Sequence, residues 1–156
     1  MPTPSRTTAL RAALLLCAIA TPPATAAAQA PPDTSWDITK PRGKTREIDF
    51  TTSEGTWMSV DVSPDGTWLV FDLLGHIYKV GTNGGEAVAL TQSSGIAINA
   101  HPRISPDGST IAFISDRKGQ NNLWVMNADG SNPRAVFTDL YVRASTPAWT
   151  PDGQYI

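Results

Sequence analysis

The residues able to do chemistry are few: two histidines, His76 and His101, and one cysteine, Cys17. A zinc centre needs three or four ligands at short spacings such as His-x-His or His-Glu-x-x-His, and neither histidine has such a neighbour. His76, in the turn Leu74-Gly75-His76, reads as a hairpin or rim residue, and His101 as a residue at a strand entrance before Pro102. Asn127-Ala128-Asp129-Gly130-Ser131-Asn132 partly resembles a calcium loop. With Gly130 in the sixth position, however, the first and twelfth ligands would be Val125 and Val136, which offer no side-chain oxygen. A hairpin turn at Asp129-Gly130 accounts for the run without a metal. Ser93-Ser94-Gly95 lacks the Gly-x-Ser-x-Gly frame of an activated serine, and no lysine-serine pair or helix follows Gly84-Gly85 to make a phosphate loop. The sequence therefore nominates no catalytic, cofactor-binding or metal-ligating residue. Trp36, Trp57, Trp68, Trp124 and Trp149 could stack on a sugar, but all except Trp36 fall at strand positions of the repeat and are expected in the core.

That repeat is the dominant signal. Ser63-Pro64-Asp65-Gly66, Ser105-Pro106-Asp107-Gly108 and Thr150-Pro151-Asp152-Gly153 place their prolines 42 and then 45 residues apart. Proline presets φ for a turn, aspartate bonds nearby backbone, and glycine accepts a positive φ. The flanks match in character: Trp68-Leu69-Val70-Phe71 lies over Thr110-Ile111-Ala112-Phe113, and Ile77-Tyr78-Lys79-Val80 over Leu123-Trp124-Val125-Met126. Each unit thus contains four strand-sized runs, apolar enough for burial on both faces. The period agrees with the roughly 40–45 residues of one four-stranded propeller blade. The largest insertion, Asp116 to Asn122, is polar and reads as a surface hairpin. The fold class expected is all-β, an incomplete propeller of antiparallel blades. Its parts are blade 1 at about 57–91, blade 2 at about 100–138 and the start of a third at 146–156.

Arg6 and Arg11 precede the apolar run Ala12 to Ala20 and an alanine-rich stretch, the pattern of a secretory signal peptide. Cleavage after Ala28 makes residues 1–28 the signal, 29–46 a solvated leader and 47–156 the repeat domain, in a secreted or periplasmic protein with no transmembrane segment left after processing. Lipidation at Cys17 is disfavoured by the bulky Leu16 before it. Processing removes the cysteine and two arginines but no acid, so the formal charge of −2 becomes more negative. That balance offers no basic stripe for nucleic acid. Arg46-Glu47-Ile48-Asp49-Phe50-Thr51 alternates polar and apolar residues and is expected to supply the outer strand of a closing blade. Closed propellers use four to eight blades, so the sequence reads as the N-terminal piece of a longer protein.

The combination of Ser-Pro-Asp-Gly, an apolar strand ending in Phe113, Ser115-Asp116-Arg117, and Leu123-Trp124-Val125-Met126-Asn127-Ala128-Asp129-Gly130-Ser131-Asn132-Pro133 resembles the TolB-type repeat called PD40, over about residues 57–156. The first copy departs from it with Asp72-Leu73-Leu74-Gly75-His76-Ile77-Tyr78. Together with Trp36-Asp37-Ile38-Thr39-Lys40-Pro41-Arg42-Gly43, that stretch is similar to the opening of secreted bacterial proteins that join such a propeller to an amidohydrolase barrel. The resemblance implies a catalytic domain beyond Ile156 as intramolecular partner, a divalent metal such as zinc within it, and metal-dependent hydrolysis of an amide or related bond. This segment would then be a scaffold, a substrate-access module or a surface for a protein or peptide ligand. Two alternatives stand beside it: the propeller of a prolyl-oligopeptidase-type serine peptidase, and a non-enzymatic TolB-like binding propeller.

Overall fold

The structure, a computed structural model, describes residues 37–138 and 144–156. The signal-peptide segment, Cys17 and Trp36 lie outside the described residues. Among the described residues eight strands form two sheets: β1 (Val60–Val62), β2 (Trp68–Leu73), β3 (His76–Gly81) and β4 (Val88–Ala89), then β5 (Asn99–Ile104), β6 (Thr110–Ser115), β7 (Asn122–Asn127) and β8 (Arg134–Ala135). Each sheet is an antiparallel meander, ordered β1-β2-β3-β4 and β5-β6-β7-β8. The fold is all-β with four-stranded antiparallel sheets, as the repeat requires. Among the described residues no helix is long and apolar enough to cross a membrane.

The two sheets meet through one core. Val70 and Ile77 of the first sheet pack with Ile104, Ile111, Phe113, Trp124 and Met126 of the second. The other face of the second sheet, made of Ala112, Ile114, Leu123 and Val125, is covered by Ala144 and by Trp149 of the third repeat, which follows it. β6 and β7 are accordingly buried on both faces. In β2 only Val70 and Asp72 are buried, because no neighbouring sheet covers the Phe71 side among the described residues. There Phe71 and Tyr78 stack on one another, ring centroids 5.6 Å apart.

The three turns are built identically, and each residue type has a role. The hydroxyls of Ser63, Ser105 and Thr150 donate to the carboxylates of Asp65, Asp107 and Asp152. The same hydroxyl oxygens accept the N–H groups of Trp68, Thr110 and Tyr155, 3.1, 2.9 and 3.1 Å away. The glycines take φ of 69, 73 and 70°. A Cβ on Gly108 would meet the Pro64 ring at 3.5 Å and one on Gly153 the Pro106 ring at 3.5 Å, so each turn rests on the proline of the preceding copy, whereas a Cβ on Gly66 would meet nothing within 4 Å. Left-handed backbone costs a non-glycine residue about 1–2 kcal/mol. Both G66A and G108A are therefore expected to lose about that much in equilibrium urea unfolding. A distinctly larger loss for G108A would show that the proline contact, and not φ, governs the site.

These turns also set an acid response. The Ser105 hydroxyl, then the backbone and hydroxyl of Ser109, hold the Asp107 carboxyl down at about 2, and the Ser63 and Thr150 hydroxyls lower Asp65 and Asp152 in the same direction. A carboxyl depressed on folding stabilises the fold fully above its unfolded value and loses that contribution as pH falls through the folded one. Thermal midpoints should drop between about pH 4 and pH 2, and D107N should remove part of that drop. An unchanged slope in D107N would contradict the assignment.

The structure differs from the sequence reading before and around the first sheet. Trp57, expected in the core, is 100% exposed with φ 62°, because the first sheet begins only at Val60 and Trp57 precedes the ladder. Asp37 to Lys40 is not free leader: Asp37 accepts from the Thr39 N–H at 3.0 Å and the Thr39 carbonyl accepts from Ile96 N–H at 3.2 Å. The first strands of the two sheets are unequal, three residues in β1 and six in β5, and β5 contains an irregularity between Ala100 and Arg103.

Candidate functional site

β1 and β5 are the first, edge strands of the two sheets, and polar groups that join the sheets gather along their shared seam. The Asp72 carboxylate, buried on β2, accepts from Ser59 N–H at 2.8 Å with one oxygen and from His101 N–H at 2.7 Å with the other. Ser59 Oγ lies 2.8 Å from His101 Nδ1. Further along the seam the Asp61 carboxylate accepts from Ile104 N–H at 2.7 Å, and an Arg103 guanidinium N–H reaches the Val60 carbonyl at 3.5 Å. His101 thus sits inside β5 at its irregularity, with φ 56°, and not at a strand entrance. Pro102 follows it and has no N–H for a ladder, which favours a bulge at this point.

A serine, a histidine and an aspartate in one place invite comparison with a catalytic triad, but the bonding decides otherwise. In a triad the carboxylate orients the imidazole through its ring N–H. Here both Asp72 oxygens are occupied by backbone amides, one from each unit, and among the described residues the imidazole is held by Ser59 alone. The arrangement can clasp two sheets together but offers the ring no orienting carboxylate. Among the described residues no three of His, Cys, Asp and Glu are grouped to hold a metal ion.

The Asp-Arg pair of the second copy forms another polar cluster, within the second unit. Asp116 accepts from Ile98 N–H at 2.8 Å and closes its own sheet. Arg117 donates to Asn99 Oδ1 at 2.6 Å and to Ser115 Oγ at 3.1 Å, and its guanidinium lies 4.6 Å from the centre of the Trp124 ring. Burial lowers the Arg117 pKa, an effect the Asp116 charge partly opposes. The run expected as a surface hairpin thus returns one side chain onto its own sheet, at Asn99, whose side-chain amide donates to the Gly75 carbonyl of the first unit.

The remaining sequence candidates are scattered. His76 opens β3, with Nδ1 3.4 Å from Thr91 Oγ1. Ser93 and Ser94 lie in a single 3-10 turn, Gly84 and Gly85 in the β3–β4 turn, and Asp129-Gly130 in the β7–β8 hairpin, where Asp129 accepts from Ser131 N–H. The Ser59–His101 contact was overlooked because motif reading looks at near neighbours. The available signal was the period itself: both residues stand five positions before their turn proline.

The PD40 description, the TolB β-propeller domain, matches residues 42–156. The chain belongs to the PD40 family of TolB β-propellers. A TolB structure from Agrobacterium tumefaciens superposes on 59% of the chain with a TM-score of 0.53 and 33% identity, which makes the two sheets propeller blades. Among curated relatives, the Tol-Pal system protein TolB of Wolinella succinogenes is 35% identical over 118 residues, or 73% of the chain. The uncharacterized peptidase YuxL of Bacillus subtilis is 40% identical over 81 residues, or 51% of the chain. The tricorn protease homolog 1 of Streptomyces coelicolor is 28% identical over 93 residues, or 60% of the chain. The chain spans 27%, 12% and 8% of these three relatives, and 34% of the Agrobacterium structure.

Proposed function

We propose that the PD40 blades are the non-catalytic N-terminal propeller of a larger secreted or periplasmic hydrolase that cleaves an amide bond. In this reading they act as scaffold and as the module that admits or holds a substrate or protein partner. The observation that carries this is the use made of the seam: Asp61, Asp72 and Ser59 of the first blade each bind a backbone or side-chain group of the second and hold the blades in register. The span of the match supports a larger parent, since the peptidase and protease relatives are mostly chain lying outside it.

Two parents share this chemistry. The opening Trp36 to Gly43 and the Asp72 to Tyr78 stretch favour a metal-dependent amidohydrolase, in which a zinc-class ion held by a separate domain would activate water. The similarity to YuxL favours a serine peptidase. Hydrolysis assays on the full-length protein separate them. Loss of activity with a chelator and recovery with zinc is expected for the first, and covalent inactivation by a fluorophosphonate for the second. A full-length protein that hydrolyses no amide substrate but captures a protein partner would overturn both in favour of a binding propeller of the TolB kind.

A further inference from the structure

The segment expected to be a solvated leader is seated on the blades, and the seat has the marks of a built contact. Asp37 organises a compact turn, accepting from the Thr39 N–H at 3.0 Å and its hydroxyl at 2.6 Å, while Lys40 N–H donates to the Asp37 carbonyl and its ammonium pairs with the carboxylate at 3.4 Å. The Thr39 carbonyl so presented accepts from Ile96 N–H, in the connection between the two blades. Beside it, Gly95 has φ 62°, and a Cβ there would run into the Thr39 carbonyl. Only glycine fits that position, for both backbone and space.

Between this seat and Ser59, held by Asp72, residues 41–57 are exposed and form no ladder. Ile48 and Phe50 from this stretch line a cleft of about 1050 Å³ along the open face of blade 1, opposite Phe71, Leu73 and Tyr78. From the blade 1–blade 2 connection the segment therefore leads to the Phe71 face of blade 1. Thr39 to Arg46 is seven residues, a reach of at most about 25 Å.

We infer that Asp37 to Lys40 is a clamp which turns residues 41–57 into a strap around blade 1, closed at both ends, and fixes where residues 46–50 can lie. Closing a loop limits how far its residues can stray from its two ends before any further contact forms. The clamp thus delivers Ile48 and Phe50 to the Phe71–Tyr78 face, instead of leaving them on a free tail.

The test is limited trypsin digestion of the full-length protein, following cleavage after Arg42, Lys44 and Arg46, together with hydrogen exchange at the Ile96 amide. Proteolysis in this regime follows the open population, so Gly95→Ala is expected to speed these cleavages about tenfold or more and to deprotect Ile96. Asp37→Ala, which leaves both blades untouched, should act in the same direction. It decides the matter if Gly95→Ala has lost the near-ultraviolet signal of the folded tryptophans. Wild-type cleavage rates in Asp37→Ala, or an unprotected Ile96 amide in the wild-type protein, would overturn the clamp.

Discussion

Replacing Asp72 with alanine is expected to loosen the seam between blades 1 and 2 more than any other polar substitution. The carboxylate, 7% exposed, is the shared acceptor for amides of Ser59 and His101, one from each blade. Hydrogen bonds to a charged group contribute about 1.5–3 kcal/mol each, and removing the acceptor strands both donors, so D72A should lose about 2–4 kcal/mol in equilibrium urea unfolding. D72N keeps one acceptor oxygen and should recover part of the loss. Amide exchange at Ser59 and His101 should accelerate together in D72A. S59A removes only the contact to the imidazole and should cost about 1 kcal/mol. If D72A unfolds at the wild-type urea midpoint, the clasp is not what joins the blades.

Phe113→Ala should be the most damaging apolar change. Phe113 is fully buried at the centre of the shared core, against Val70 and Ile77 of one blade and Ile111 and Trp124 of the other, with the Arg117 guanidinium 5.4 Å from its ring centre. Emptying such a position costs about 3–5 kcal/mol, the transfer term plus the cavity. F113L, closer in volume, should cost no more than about 1.5 kcal/mol. Because Arg117 covers the same ring, R117M tests whether the charge or the hydrocarbon stem holds the lid: a near-neutral R117M would assign the stability to packing, as snorkelling side chains allow. An F113A protein as stable as wild type would mean that the blades do not share one core.

What could be read from the residues was what repeats. The three turns were legible because proline, aspartate and glycine have local conformational reasons to be there, and the apolar runs beside them became β2, β3, β6 and β7 at six residues each. What repeats imperfectly was hidden. Trp57 matches a strand position in the register, yet its left-handed backbone takes it out of the ladder, a choice no neighbouring residue announces. The irregularity at His101 and Pro102 falls inside β5 without altering the turn spacing that defines the unit. The Thr39 seat depends on Gly95, some fifty positions away, and the Arg117 stack on Trp124 depends on how a polar hairpin folds back. Long-range fit of this kind leaves no periodic trace.

The stack of turns, in which the glycine of one copy lies against the proline of the copy before it, makes the array directional. Every unit brings the same key and offers the same lock, so any copy can follow any other, and gene duplication could lengthen or shorten such a ring without redesigning its joints. The Asp72 bridge to His101 is different, since the position it matches in blade 2 is the apolar Ile114, which carries no acceptor. Interchangeable joints allow the number of units to drift over evolutionary time, while this one irregular joint marks which two units must stay neighbours.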